Sequence, residues 1–347
     1  MNFRLSLWVT LCMLASVGVT AARPVTFEMN PRFLTPPPGM ATVGDSHGDI
    51  AVSPAGEIYL SVQAGAHPGI QIYSAQGRYL RNLPNAPNDF HGFIIATAPD
   101  GTPNIFGTRL LGQEILRMTL DGKIALTIPA AAIPDQYKSS QDGKLEVHLT
   151  DVAVAPNGDI YAVDGYGRDF IHHFDKTGRY LNTFGGRGQP WNFEQCHKIA
   201  VDPRFKPARL LCTDRLHDRL IQMDLDGHVL GVFAEGLRWP SALAVFKNEL
   251  AVAELGGRVS VLDLKGNIVA SIGANEHADE TKTNEIPPEK WQENLFYAPH
   301  GITYDAKGNL LVVEYSKWGR ITRLERKSSA STRGSSAAPG MEEKKPN

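Results

Sequence analysis

Thr150-Asp-Val-Ala-Val-Ala-Pro-Asn-Gly-Asp-Ile-Tyr-Ala162 repeats, with few changes, the earlier stretch Gly48-Asp-Ile-Ala-Val-Ser-Pro-Ala-Gly-Glu-Ile-Tyr-Leu60. Each alternates apolar and polar residues, turns at Pro-x-Gly and resumes as a second apolar run, the pattern of an antiparallel hairpin. Weaker copies begin near Phe93 (Ile94-Ile-Ala-Thr-Ala-Pro-Asp-Gly101), at His197 (Lys198-Ile-Ala-Val-Asp-Pro203), at Ser241 (Ala242-Leu-Ala-Val-Phe246) and at His300 (Gly301-Ile-Thr-Tyr-Asp-Ala-Lys-Gly308). Six copies fit between residues 47 and 325.

The copies continue alike, with an apolar strand running into a Gly turn, Asp-x-x-Gly in three of them, and then one more strand. Ile171-His-His-Phe-Asp-Lys-Thr-Gly178, Leu220-Ile-Gln-Met-Asp-Leu-Asp-Gly227 and Val259-Ser-Val-Leu-Asp-Leu-Lys-Gly266 carry that signature. A repeat of roughly 45 to 60 residues holding about four strands is a propeller blade, since helical solenoids would show a period of 3.6. The expected fold is therefore all-β, a six-bladed β-propeller spanning residues 23–326. The last copy ends after its third strand, Gly319-Arg-Ile-Thr-Arg-Leu-Glu325, and the segment Pro24 to Asn30 is free to supply the missing one. Ring closure by an N-terminal strand would also remove an open sheet edge.

Outside the propeller, Arg4, the apolar run Leu5 to Val19 and the small residues Thr20, Ala21 and Ala22 read as a signal peptide over 1–22, with a secreted or periplasmic destination. No stretch reaches the roughly 20 apolar residues of a membrane span. Lys and Arg number 35 against 37 Asp and Glu, which gives no electrostatic reason to expect nucleic acid as a partner. Cys196 and Cys212 are left after signal removal and are open to two readings, a disulfide or a free buried pair. Residues 327–347 are too poor in large apolar side chains to bury a core and are expected to be disordered. Two long connections, Pro129 to Val147 and Ala274 to Pro299, are candidates for ligand-binding loops or plain surface insertions. A monomer is expected, with a peptide or small molecule bound at the channel mouth.

The start of each blade's first strand lies near the channel, so equivalent positions converge there. His197 and His300 share a register, and His91, two residues earlier in strict alignment, opens the second copy. They fall in alternate blades, a third of a turn apart. Three neutral imidazoles around one axis make a catalytic zinc ligand set with a fourth position open, although a structural role is the commoner fate of any one His, and His47 and His148 also lie near blade mouths. Asp164-Gly-Tyr-Gly-Arg-Asp169 presents Tyr166 on a tight turn, as a channel base or as an aromatic plug. Asp214-Arg215 occupies the corresponding place in blade four, where Arg215 could hold a carboxylate bidentately or tie blades together.

The blades resemble NHL repeats. Thr150 to Tyr166, Cys196-His197, Leu211-Cys-Thr-Asp-Arg215 and Ala298-Pro-His-Gly301 further resemble the peptidyl-α-hydroxyglycine α-amidating lyases, most densely over 148–233. The resemblance implies zinc on His91, His197 and His300, Tyr166 as catalytic tyrosine, Arg215 as a channel arginine, and a structural calcium. The implied reaction cleaves a C-terminal hydroxyglycine into peptide amide and glyoxylate. Three positions depart from the pattern. No Arg stands at Val62-Gln63, where the family has its essential arginine; Gly301 replaces an Asp expected after the third His, which weakens the calcium; and Gly167 replaces a half-cystine. Two other readings compete: a non-catalytic propeller binding a protein, peptide or glycan, and a different metal-dependent hydrolase or lactonase, against which no set of acidic residues is evident at the blade starts.

Overall fold

A computed structural model describes residues 25–98 and 100–327. The expected signal peptide and nearly all of the expected tail lie outside the described residues. Six four-stranded antiparallel sheets follow one another along the chain. In blade 3, for example, Asp151–Val154, Ile160–Val163, Phe170–Phe174 and Tyr180–Gly185 run from the axis outward. Blade 6 joins Pro299–Tyr304, Leu310–Glu314 and Ile321–Arg326 to the N-terminal strand Phe27–Asn30, in the register Phe27 with Arg326 through Asn30 with Arg323. The ring thus closes as the sequence suggested, and Lys327 still donates its N–H to the Thr26 carbonyl.

Burial explains the two kinds of strand pattern. The second and third strands are packed on both faces and read as near-continuous apolar runs, whereas outer strands such as Tyr79–Asn82 keep much of their surface in water. The hydrophobic core lies between blades. Phe106 and Ile115 of blade 2 pack against Val152, Ile160, Ala162 and Phe174 of blade 3, and the pattern repeats around the ring. Each of the Val, Ile and Phe side chains among them contributes about 1.5–3 kcal/mol on burial, so the interfaces, rather than single sheets, hold the molecule together.

The Asp-x-x-Gly signature proves to be the turn between third and fourth strands. Asp263 accepts from the N–H groups of Lys265 and Asn267, and Gly266 completes the turn at φ +82°. A Cβ there would collide with the Phe233 carbonyl of the preceding blade, so the glycine is required twice over.

Both long connections lead from a fourth strand to the next blade's first strand, which places them at the end of the ring where the first strands begin. The first contains a small hairpin, Ser139–Gln141 with Lys144–Glu146. In the second, Trp291 is half-buried, with the guanidinium groups of Arg32 and Arg320 over its ring. Cys196 and Cys212 are joined by a disulfide between the first two strands of blade 4. Among the described residues, no helix is long and apolar enough to cross a membrane.

His172, in the third strand of blade 3, is buried with its Nε2 unpartnered. Desolvation, helped by the charge of Lys138, pulls its pKa from 6.5 to about 3. The unfolded chain therefore takes up this proton at a higher pH than the folded one. The contribution to stability is complete above 6.5 and is lost as the pH falls from there toward 3, by about 2 kcal/mol at pH 5. In thermal melts, His172→Phe should show a clearly smaller drop in Tm between pH 7.5 and pH 5 than the parent protein; an equal drop would overturn this.

Candidate functional site

The first strands enter the axis through a local irregularity. In blade 2, Phe90 pairs with Arg109 and Gly92 with Thr108, leaving His91 as an extra residue. His300 is extra in the same way between the Pro299–Glu314 and Gly301–Val313 pairs, and the ladder of blade 4 slips between Cys196 and Ile199, around His197. Such a bulge re-aims a side chain, and here it turns the imidazoles toward the axis. It also puts His91 in the same register as the other two, not two residues early as the sequence alignment had it.

What holds these strand starts is a carboxylate at the end of the neighbouring second strand. Asp164 accepts from the N–H groups of His148 and Arg168, Asp214 from Glu194, and Glu314 from Tyr297 and Ala298. Arg219 pairs with Asp214, Arg258 with Glu254 and Arg320 with Glu314. Gln63 occupies the same position in blade 1. Its Oε1 accepts from the His47 N–H at 2.7 Å and its Nε2 donates to the Phe90 carbonyl at 3.0 Å. The residue standing where an arginine was missed is thus committed to scaffolding.

His91, His197 and His300 form a near-equilateral triangle, with ring centroids 4.9, 5.0 and 5.0 Å apart and interplanar angles of 75° to 86°. Each Nδ1 meets a backbone carbonyl of the next blade: Thr150 at 2.8 Å, Ser241 at 2.7 Å and Gly48 at 3.0 Å. A carbonyl can only accept, so each Nδ1 carries the proton and each Nε2 presents a lone pair. All three rings are buried. Desolvation drives their pKa values well below 6.5, and the positive charge of Arg215 lowers them further, so they are neutral.

Tyr166 stands over this triangle. Its Oη lies 3.1 Å from Nε2 of His91 and 3.1 Å from Nε2 of His197. The two flanking glycines make this approach possible, because a Cβ on Gly165 would strike the Cys196 carbonyl and one on Gly167 the Asp164 carboxylate. One hydroxyl proton cannot satisfy two acceptors, and Nε2 of His300 is buried with no partner at all. A cation among the three nitrogens would resolve both deficits. The residues present therefore fit a metal of the kind neutral imidazoles bind.

Arg215 does not join Asp214, which pairs instead with Arg219 and His217. Buried beside Tyr166, it donates weakly to Gln195 Oε1 at 3.3 Å and leaves Nε and Nη2 unpartnered. Two free, desolvated N–H donors on a planar cation suit a carboxylate. A cleft of about 390 Å³ opens beside Tyr166, lined by Arg187, Phe193, Gln195, Leu216 and His217. A larger groove of about 450 Å³, near Pro54, Gln76 and Lys307, lies at the far ends of the strands and holds none of these groups.

Two features went unread in the sequence. His47, there noted only as near a blade mouth, places a ligand atom within 4.8 Å of those of His91 and His300, and its ring lies against Tyr315 at 4.3 Å. Its pKa falls to about 4, chiefly by burial. The ligand atoms of His47, His91 and His300 thus lie within 4.8 Å of one another, while His197 meets His91 across the Tyr166 hydroxyl; His91, His197 and His300 share the Nδ1–carbonyl anchor that His47 lacks, and His47 is a neighbour able to add to them. Acidic residues are also present at blade starts after all: Asp49 and Asp151 both reach Lys198 within the channel.

Fold and site together define a six-bladed β-propeller with a histidine-lined, arginine-flanked axial mouth. No family model matches the chain, and no curated protein matches it. Solved structures do. A streptogramin B lyase matches at TM-score 0.56 and 14% identity, over 87% of this chain and 98% of its own. A catalytically inactive virginiamycin B lyase from Staphylococcus aureus with quinupristin matches at TM-score 0.55 and 15% identity, over 86% and 99%. A putative gluconolactonase matches at TM-score 0.57 and 13% identity, over 87% and 92%. At these identities the likeness shows the fold alone.

Glu314 and Arg320 are both almost fully buried. Glu314→Ala should cost about 3–5 kcal/mol, because it strands a buried guanidinium and frees the loop before His300. Denaturant unfolding measures this directly, and a cost under about 1 kcal/mol would show the pair to be ornamental.

Proposed function

We propose that the protein is an exported, zinc-dependent lyase of the amidating-lyase type, acting on a carbinolamide with a free carboxylate. The observation that carries this reading is the convergence of three proton-free Nε2 atoms, the Tyr166 hydroxyl and the unpartnered N–H groups of Arg215 at one buried point. His91, His197 and His300 would hold the zinc, which when bound supplies a Lewis acid for a hydroxyl or carboxylate oxygen.

Arg215 binds the terminal carboxylate of the substrate and orients the hydroxyl-bearing carbon toward Tyr166. Tyr166 Oη, beside that guanidinium, takes the hydroxyl proton. The carbon–nitrogen bond breaks as the carbonyl of glyoxylate forms, and the proton is delivered to the departing amide nitrogen. Atoms balance: one peptidyl hydroxyglycine gives one peptide amide and one glyoxylate. The remainder of the peptide lies in the cleft toward Arg187 and His217.

Export is supported by the N-terminal segment Arg4 to Ala22 and by the Cys196–Cys212 bridge, a bond at home in oxidising compartments. A non-catalytic ligand-binding propeller is the second reading, favoured by Gln63 in place of an arginine at the channel. Protein purified without chelator should contain one zinc, lost in His197→Ala and in His300→Ala. With a synthetic peptide ending in α-hydroxyglycine it should release glyoxylate, and Tyr166→Phe should slow that release by about 10²–10⁴-fold. Absence of zinc sinks the metal site; zinc with no release above the spontaneous rate favours the binding reading.

A further inference from the structure

Directly beneath the imidazole triangle, the next residue of each first strand forms a second layer around the axis. Blades 2, 4 and 6 contribute Gly92, Lys198 and Gly301; blades 1, 3 and 5 contribute Asp49, Asp151 and Ala242. Only one long side chain is present. Lys198 extends from blade 4 so that its ammonium contacts the carboxylate of Asp49 in blade 1 and lies 2.9 Å from that of Asp151 in blade 3. All three side chains are almost completely buried.

The two glycines make room for this. A Cβ on Gly92 would meet the Asp151 carboxylate, and one on Gly301 would lie 2.7 Å from Asp49 Oδ1. Below the layer lies a cavity of about 280 Å³ walled by Val52, Ile95, Val154, Val201, Val245 and Tyr304. Two buried carboxylates aimed into a channel demand a cation. A calcium ion would meet the demand with six to eight oxygen ligands at roughly 2.3–2.6 Å. Here the place between the carboxylates is taken by a covalently attached ammonium, and an aspartate at 301 would crowd Asp49. The residues present do not fit calcium.

We propose that Lys198 is a built-in cation that replaces a structural divalent metal on the propeller axis, joining blades 1, 3 and 4 and closing the channel under the histidine site. The protein is then indifferent to calcium, and ligands reach the histidines only from the Tyr166 side. The proposal concerns the second layer and does not depend on zinc or on the lyase reading.

The test is elemental analysis and thermal melts with and without millimolar calcium chloride. The parent protein should contain no stoichiometric calcium and show no calcium-dependent change in Tm. Lys198→Ala, which vacates the place between two carboxylates, should melt lower and regain about 5 °C at a calcium concentration about 100 times its dissociation constant. Adding Asp49→Asn and Asp151→Asn to that variant should abolish the calcium response. Stoichiometric calcium in the parent protein, or a rise in its Tm with calcium, would overturn the proposal even if Lys198→Ala fails to fold. So would a Lys198→Ala protein that folds and ignores calcium.

Discussion

Three hydrogen bonds define the chemistry of the axis: each histidine Nδ1–H donates to a carbonyl of the next blade. The bond does three things at once. It fixes the tautomer, because the acceptor can only accept; it fixes the ring orientation; and it points Nε2 inward. Since donor and acceptor belong to different blades, the site exists only in the assembled ring. The His300 bond to Gly48 crosses the closure seam between blade 6 and blade 1. Pairing of Phe27–Asn30 with Ile321–Arg326, far from the channel, therefore bears on the geometry of the axis as well as on the sheet edge.

Such bonds tolerate little movement, which gives the strand-end carboxylates their purpose. A loop entering the axis has N–H groups with no ladder partner, and leaving them unmet in a buried position is costly. Asp164, Asp214, Glu254 and Glu314 each accept one or two of them. Blade 1 uses the neutral amide of Gln63 for the same end, and blade 2 inverts the polarity, with Arg109 on the strand and Asp89 in the loop. The position is conserved in function within this one chain while its charge varies, so residue type alone misleads there.

That explains where sequence reading succeeded and where it stopped. Blade number and the closing strand were legible because period-two alternation and Asp-x-x-Gly turns are local. His91, His197 and His300 could be named because strand starts converge in a propeller, and Tyr166 and Arg215 because they stand on the turns after second strands and match the lyase pattern; the structure brings all five together. The shared register of His91 was hidden because a bulge adds a residue that no linear alignment of repeats anticipates. The roles of His47, Gln63 and the Lys198 cluster were hidden for a different reason: each has partners in other blades, and single repeats carry no signal for cross-ring contacts. Asp49 and Asp151 each sit inside an ordinary repeat, and only the closed ring shows that they share one ammonium.

The two layers of the axis are electrostatically unlike. The upper one is neutral, three imidazoles with Arg215 as an uncompensated charge at their side; the lower one sets a single ammonium against two carboxylates. Arg215 lowers the proton affinity of every imidazole in the cluster, and the same field opposes any cation placed among them. An anion on the free N–H groups of Arg215 would cancel that field within a few ångströms, where low polarity makes the interaction strong. Binding of a carboxylate at Arg215 and of a metal at the three Nε2 atoms must then favour one another, and by linkage each strengthens the other equally. A metal at the three Nε2 atoms would then be held best with an anion on Arg215.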